Sequence, residues 1–172
     1  MNGARRVKIK VLLVDDHPFV REGVKAWLVR NGQFEVVGEA GNGREAIERS
    51  KALSPDIIIM DISMPGMDGL EATKCLREAC PRAKVLIFTA HEKNEFVREI
   101  VQSGARGCVR KNTSPCELMS AVERIHRGET FFMPEVAQTM VGLGIDLSVL
   151  VTRANLQSGL EYAVERLRHW EG

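Results

Sequence analysis

The most informative stretch of this 172-residue chain is Asp56-Ile57-Ile58-Ile59-Met60-Asp61-Ile62-Ser63-Met64-Pro65-Gly66-Met67-Asp68-Gly69. It opens with an apolar run that is too short for a typical helix and rich in branched side chains, which indicates a buried strand. The carboxylate of Asp61 closes that strand, and a Pro-Gly pair and an Asp-Gly pair break the chain directly after it. Asp61 is therefore expected directly after a core strand. A carboxylate at this position can be a functional residue or an ordinary turn residue.

The segments on both sides of this stretch alternate between strand-like and helix-like patterns. Short apolar runs predict further strands, and apolar residues spaced three or four apart predict a helix after each strand. One helix start is especially clear, because Ser114-Pro115-Cys116-Glu117 combines a capping serine, a first-turn proline and a capping-box glutamate. The five predicted strands are 11–14, 34–37, 57–60, 85–88 and 107–109.

Five strand–helix repeats with unbroken apolar strands predict a parallel sheet covered by helices on both faces. Right-handed crossovers favour a doubly wound, flavodoxin-like (βα)5 arrangement with strand order 2-1-3-4-5. In such sheets the functional site lies beyond the carboxyl ends of the strands, near the switch point between strands 1 and 3. The polar residues that the sequence places at those ends are Asp15, Asp16, Asp61, Thr89 and Lys111.

Three carboxylates brought together repel one another unless a proton or a cation intervenes. Mg²⁺ suits the set best, because it commonly binds one or two carboxylates, keeps waters and completes its shell with phosphate oxygens. Lys111 adds a second positive charge, and Thr89 adds a hydroxyl that can donate to an anion. An oxygen nucleophile, a cation and fixed donors are the parts needed for phosphoryl transfer. The competing interpretation is that Asp15 and Asp16 only cap the following helix and that Lys111 is solvated.

Composition excludes several broad classes. The chain has 24 Lys and Arg against 23 Asp and Glu, so its net charge of +1 indicates neither a nucleic-acid nor a membrane surface. No apolar stretch approaches the roughly 20 residues that span a bilayer, and no signal peptide is predicted. The four cysteines lack metal-finger or C-x-x-C spacing, which favours reduced thiols and a cytoplasmic location.

Four blocks of the sequence also resemble the signature blocks of response-regulator receiver domains, in order and in spacing, from about Val7 to Gly128. They are Leu-Leu-Val-Asp-Asp-His at 12–17, Ile-Met-Asp-Ile-Ser-Met-Pro-Gly-Met-Asp-Gly at 59–69, Phe-Thr-Ala-His at 88–91 and Val-Arg-Lys at 109–111. The Asp-Asp-His-Pro, Gly-Glu-Ala-Gly-Asn-Gly and Ser-Gly-Ala-Arg-Gly motifs are similar to those of the NarL/FixJ (LuxR-type) subgroup.

The resemblance implies a two-component response regulator that takes a phosphoryl group from a sensor histidine kinase and then changes conformation and forms a homodimer. It implies no turnover of an external substrate. Matched residue by residue, it assigns Asp61 as phosphoacceptor, Asp15 and Asp16 as the acidic Mg²⁺ pair, the Ser63 backbone carbonyl as a further ligand, Thr89 as switch hydroxyl and Lys111 as the phosphate-binding lysine.

Two positions depart from the family pattern. Receivers usually carry Tyr or Phe three residues before the lysine, and here that position is Cys108, so the usual inward swing of a ring cannot operate. Many receivers follow the lysine with proline, whereas this chain has Asn112. A cis bond before a residue other than proline costs about 3–4 kcal/mol, so none is expected there.

We expect a receiver domain over 1–130, a linker with a short helix over 131–144 and a helical tail over 145–172. The tail's apolar stripe of Leu156, Leu160, Ala163, Val164 and Leu167 predicts a packing helix. It is too short for a complete helix-turn-helix domain, so DNA binding is expected only through an output domain absent from this chain. A fragment of a longer regulator is the alternative interpretation.

Three other functions remain as alternatives. The first is a stand-alone receiver that acts through protein contacts without DNA. The second is a haloacid-dehalogenase-like phosphatase, which is disfavoured because such enzymes need a second aspartate at the position that Ser63 occupies. The third is a nucleotide binder, which is disfavoured because Asp15 and Asp16 repel phosphate after the first strand.

Overall fold

The computed structural model describes residues 7–91 and 94–146. Its sheet has the order β2-β1-β3-β4-β5-β6, and every neighbouring pair of strands is parallel. The predicted order 2-1-3-4-5 is therefore confirmed, with one strand added at the edge. The strands are β1 (Ile9–Val14), β2 (Phe34–Ala40), β3 (Ile57–Met60), β4 (Lys84–Thr89), β5 (Gly107–Arg110) and β6 (Phe131–Phe132).

Helices connect the strands and cover both faces of the sheet. A short 3-10 turn at Asn94–Phe96 precedes the fourth helix, and a sixth helix follows the added strand. The helices are α1 (Pro18–Asn31), α2 (Gly43–Leu53), α3 (Gly69–Ala79), α4 (Val97–Ser103), α5 (Pro115–His126) and α6 (Pro134–Gly142).

Strand β3 shows why the apolar run is unbroken. Ile57 and Ile59 belong to the cluster under α1 and α5, whereas Ile58 and Met60 belong to the cluster under α2, α3 and α4. All four side chains are buried, and full burial of one such side chain contributes about 1.5–3 kcal/mol. The strand is therefore fixed on both faces, and Asp61 directly after it has a rigid support.

Glycine and side-chain caps define the ends of the first two helices. Gly32 ends α1 with a φ of 75°, a conformation that costs glycine little. The Asn42 side chain caps the start of α2 by accepting from Glu45 N at 2.9 Å. Glu45 reaches back to the backbone N of Gly41, at 2.9 Å, and not to that of its own cap residue.

The linker predicted over 131–144 contains both β6 and α6. Helix α6 packs on α4 through a small apolar cluster of Val97, Val136 and Met140. The predicted tail helix lies outside the described residues. Within the part of the chain that the structure describes, every helix is too short or too polar to cross a bilayer.

Candidate functional site

The five polar residues predicted at the strand ends lie at one edge of the sheet. The backbone N of Asp61 donates to Val14 O at 2.9 Å, which joins the end of β3 to that of β1. The backbone N of Asp15 donates to Ala40 O of β2, and the backbone N of Lys111 donates to Thr89 O of β4 at 2.8 Å. Sheet hydrogen bonding therefore continues into the site and fixes its backbone.

The acidic residues form a compact cluster at this edge. Asp15 and Asp61 are buried, with relative exposures of 4% and 3%, and Asp16 is half-buried. One ligand atom from each of Asp15, Asp16, His17 and Asp61 lies within 4.8 Å of the others. His17 Nδ1 is 3.1 Å from Asp15 Oδ1 and 3.0 Å from Asp16 Oδ1. Three carboxylates and one imidazole thus converge on one small volume.

Lys111 reaches into the same cluster. Its Nζ lies 3.2 Å from Asp61 Oδ2 and also contacts Asp15 Oδ2. The ammonium therefore partly offsets the repulsion between the two buried carboxylates.

Burial, and then the charge of Asp15, raise the pKa of the Asp61 carboxyl above its ordinary value, while Lys111 opposes both effects. A carboxylate with a raised pKa is a stronger base than one with an ordinary pKa, and Asp61 is held at the carboxyl end of β3. Such a group suits nucleophilic attack on an anionic electrophile whose negative charge is offset by nearby cations.

Two carboxylate oxygens of the cluster are available to bind a cation. Asp15 Oδ2 and Asp16 Oδ1 are buried and accept no hydrogen bond from the residues that the structure describes. Lys111 Nζ pairs with Asp15 Oδ2, and His17 Nδ1 lies 3.0 Å from Asp16 Oδ1. Carboxylate oxygens in this arrangement fit a hard divalent cation.

Thr89 and Ser63 flank the cluster and are linked through His91. Thr89 is buried at the end of β4, and its Oγ1 accepts from the backbone N of His91 at 3.1 Å. His91 Nε2 and Ser63 Oγ are 2.7 Å apart, and the His91 ring lies 4.7 Å from the ring of Phe96. The loops after β3 and β4 are therefore joined beside Asp61.

Cys108 lies behind Thr89 on β5 and is buried. Burial raises the pKa of its thiol to about 12, so the thiol is neutral. It shares with Thr89 a cavity that has about 20 Å³ of room for the centre of a water molecule. The cavity is lined by Ile62, Thr89, His91, Phe96, Val97, Ile100, Cys108, Arg110 and Val136.

Every peptide bond among the described residues is trans, including Lys111–Asn112, as expected without proline.

Sequence reasoning missed the contacts of His17, Arg21, Glu39 and His91. His17 and His91 lie within two residues of predicted site residues, so their positions could have identified them. Glu39 carries no such signal, because its contact with Arg21 joins residues 18 positions apart.

The fold and site together define the class of protein. Residues 11–123 match the model of the response regulator receiver domain, and the chain belongs to that family.

Individual relatives agree with the assignment. The chain is 41% identical over 132 residues to the response regulator protein VraR of Staphylococcus aureus (strain Mu3 / ATCC 700698), covering 77% of this chain and 63% of VraR. A LuxR-family two-component response regulator from Aurantimonas sp. SI85-9A1 has a similar structure, with a TM-score of 0.75 and 36% identity, covering 81% of this chain and all of that one. The receiver domain of the putative response regulator NarL from Mycobacterium tuberculosis gives a TM-score of 0.68 and 38% identity, covering 71% of this chain and 98% of that one. The chain therefore spans less than two thirds of VraR's length.

Proposed function

We propose that Asp61 accepts a phosphoryl group from the phosphohistidine of a sensor histidine kinase. The observation that supports this most directly is the position of the buried Asp61 carboxylate, 3.2 Å from Lys111 Nζ and inside the cluster of Asp15 and Asp16. The nucleophile, the fixed cation and the metal-binding acids of phosphoryl transfer are thus within contact of one another.

The transfer conserves the phosphoryl group. An oxygen of Asp61 attacks phosphorus in line, the new P–O bond forms as the P–N bond to histidine breaks, and the histidine nitrogen keeps the electron pair. Lys111 Nζ is placed to balance the charge of the phosphoryl oxygens. Thr89 provides the hydroxyl that donates to the acyl phosphate after transfer.

Asp15, Asp16, Asp61 and the Ser63 backbone carbonyl are the proposed ligands of Mg²⁺. When bound, Mg²⁺ supplies positive charge opposite the transferring oxygens. His91 holds the Ser63 side chain through its Nε2, which fixes the loop that carries this carbonyl.

The switch that follows depends on added charge. An acyl phosphate brings about two negative charges, which attract Lys111 and the Thr89 hydroxyl and shift an existing conformational equilibrium. We propose that the changed surface forms a homodimer. Residues 1–130 form the phosphoacceptor domain in this proposal, 131–144 form a linker and short helix, and 145–172 form a tail.

Transcriptional control in the cytoplasm, through a DNA-binding output domain, is the proposed output. A stand-alone receiver that acts through protein contacts is the second candidate. We propose no turnover of an external substrate.

The proposal is tested by exposing the protein to acetyl phosphate and Mg²⁺ and measuring the mass of the intact protein. Wild type gains one phosphoryl group, and Asp61→Asn gains none because the amide is not a nucleophile. Asp56→Asn is the matched control, since Asp56 sits at the other end of β3 and accepts from the backbone N of Lys10 at 2.8 Å. Undiminished labelling of Asp61→Asn would falsify the assignment. Continuous release of phosphate from small phosphate esters would instead support a phosphatase.

A further inference from the structure

Arg21 occupies an unusual position for a cation. It lies in α1 close to the helix N-terminus, where the helix dipole disfavours positive charge. Its side chain is nevertheless mostly buried, with a relative exposure of 18%. Specific contacts must therefore compensate for both costs.

Those contacts connect the metal-binding loop to strand β2. Arg21 Nη1 donates to the backbone carbonyl oxygen of Asp15, and Arg21 Nε donates to Glu39 Oε2 at 3.0 Å. Glu39 is also paired with Lys25, whose Nζ lies 3.1 Å from Oε1. A planar guanidinium can make both contacts at once, which the single head of a lysine cannot.

The Asp15 backbone is consequently held from two directions. Its N donates to Ala40 O of β2, and its carbonyl accepts from Arg21, which is itself anchored on the preceding residue of that strand, Glu39. The Asp15 carboxylate accepts from the backbone N of His17 at 2.8 Å, so the loop and the carboxylate orientation are coupled.

We infer that Arg21 is a positioning residue that holds Asp15 and Asp16 in the geometry for a divalent cation, although its own charge repels that cation. The inference rests on the proposed function, because it concerns the same cation. It adds that the Arg21–Glu39 pair at the sheet edge determines how tightly the cation binds.

The sign of the effect separates positioning from electrostatics. Removing a positive charge near a cation site strengthens cation binding if charge alone matters. Loss of a positioning contact weakens cation binding, and contacts that orient a metal ligand without touching the metal are typically worth about 10–100-fold in metal affinity.

The experiment measures binding of Mn²⁺ to the full chain by the electron paramagnetic resonance signal of the free ion. Arg21→Ala is expected to weaken Mn²⁺ binding about tenfold. Lys25→Ala is the matched control. Lys25 carries the same charge as Arg21 and pairs with the same Glu39 carboxylate, but it does not contact Asp15 O. This variant is expected to leave Mn²⁺ binding unchanged or slightly tighter.

Arg21→Lys keeps the charge and is the second variant. It is expected to bind Mn²⁺ more weakly than wild type, because one ammonium cannot hold both Asp15 O and Glu39. Thermal melting shows that each variant is folded at the binding temperature. In acetyl phosphate labelling, the Arg21 variants are expected to need more Mg²⁺ for half-maximal rate and to approach the wild-type rate at saturation.

Arg21→Ala that is folded and binds Mn²⁺ as tightly as Lys25→Ala overturns the inference. Wild type that neither binds Mn²⁺ nor becomes labelled contradicts the proposed function instead, so the two failures are distinct.

Discussion

Lys111 Nζ contacts one oxygen of Asp61, at 3.2 Å, and one oxygen of Asp15. One ammonium thus pairs with the proposed nucleophile and with a proposed metal ligand. It has two opposed effects, since it stabilises the charged form of Asp61 and competes with a cation for Asp15.

Lys111→Met is therefore expected to change two measurements in opposite directions. Binding of Mn²⁺ tightens, because the competing ammonium is gone. The rate of labelling by acetyl phosphate falls by about 100-fold, because a fixed donor to the phosphoryl oxygens is lost. Electron paramagnetic resonance and intact mass measure the two quantities. Labelling at the wild-type rate would show that Lys111 has no part in transfer.

Gly69 begins α3 in close contact with the backbone of the proposed phosphoacceptor. A Cβ at this position would lie 1.8 Å from the carbonyl oxygen of Asp61, and that oxygen cannot move without displacing the loop. Gly69→Ala is expected to lower the free energy of unfolding by about 2–4 kcal/mol and to slow labelling of Asp61. Urea unfolding and intact mass provide the measurements.

Gly23→Ala is the control for that substitution. Gly23 lies inside α1, and a Cβ there would have no heavy atom within 4 Å. Alanine at this site is expected to raise the free energy of unfolding by about 0.5–1 kcal/mol, because glycine is the poorer helix former. If Gly69→Ala and Gly23→Ala changed the free energy of unfolding equally, the backbone near Gly69 would have to accommodate a Cβ without loss of stability.

Much of this architecture could be predicted because local chemistry and tertiary structure agree. The run from Ile57 to Met60 is apolar on both faces because both faces are covered. The rule that sites lie at the carboxyl ends of parallel strands then brings Asp15, Asp61 and Lys111 together without any distance being known.

The parts that could not be predicted depend on long-range contacts or on very short elements. Strand β6 has only two residues, Phe131 and Phe132, so it has no alternation to detect. Strand β2 was predicted to end at Val37 but continues to Ala40, past the charged Glu39, which Arg21 and Lys25 neutralise. No pattern along the chain reports such a pairing.

Cys108 fills the position where receivers usually carry an aromatic ring, and the space around it is small. Its side chain is buried, and the cavity that it shares with Thr89 has about 20 Å³ of space for the centre of a water molecule, enough for roughly one water. Cys108→Phe is therefore expected to lower the free energy of unfolding by about 1–3 kcal/mol through overpacking. Urea unfolding of the unphosphorylated protein measures the change.

Cys75→Phe is the matched control, because Cys75 is exposed on α3. The same substitution there is expected to change stability by no more than about 0.5 kcal/mol. A Cys108→Phe variant as stable as wild type would mean that the phenyl ring takes a position outside this cavity.

Glu39 links the pH dependence of stability to the edge of the site. The hydrogen bond from Arg21, followed by the contacts of Lys25, lowers the pKa of the Glu39 carboxyl below its ordinary value of 4.5. Because the folded state favours the charged form, this stabilisation is present above pH 4.5 and is lost as the pH falls through the lowered pKa.

Glu39→Gln is therefore expected to be less stable than wild type at pH 7 by about 0.5–1 kcal/mol, with a smaller difference at acidic pH. Urea unfolding across this pH range tests it, with Glu35→Gln, an exposed position on the same strand, as control. A difference between Glu39→Gln and wild type that does not shrink towards acidic pH would show that the ion pair does not contribute through charge.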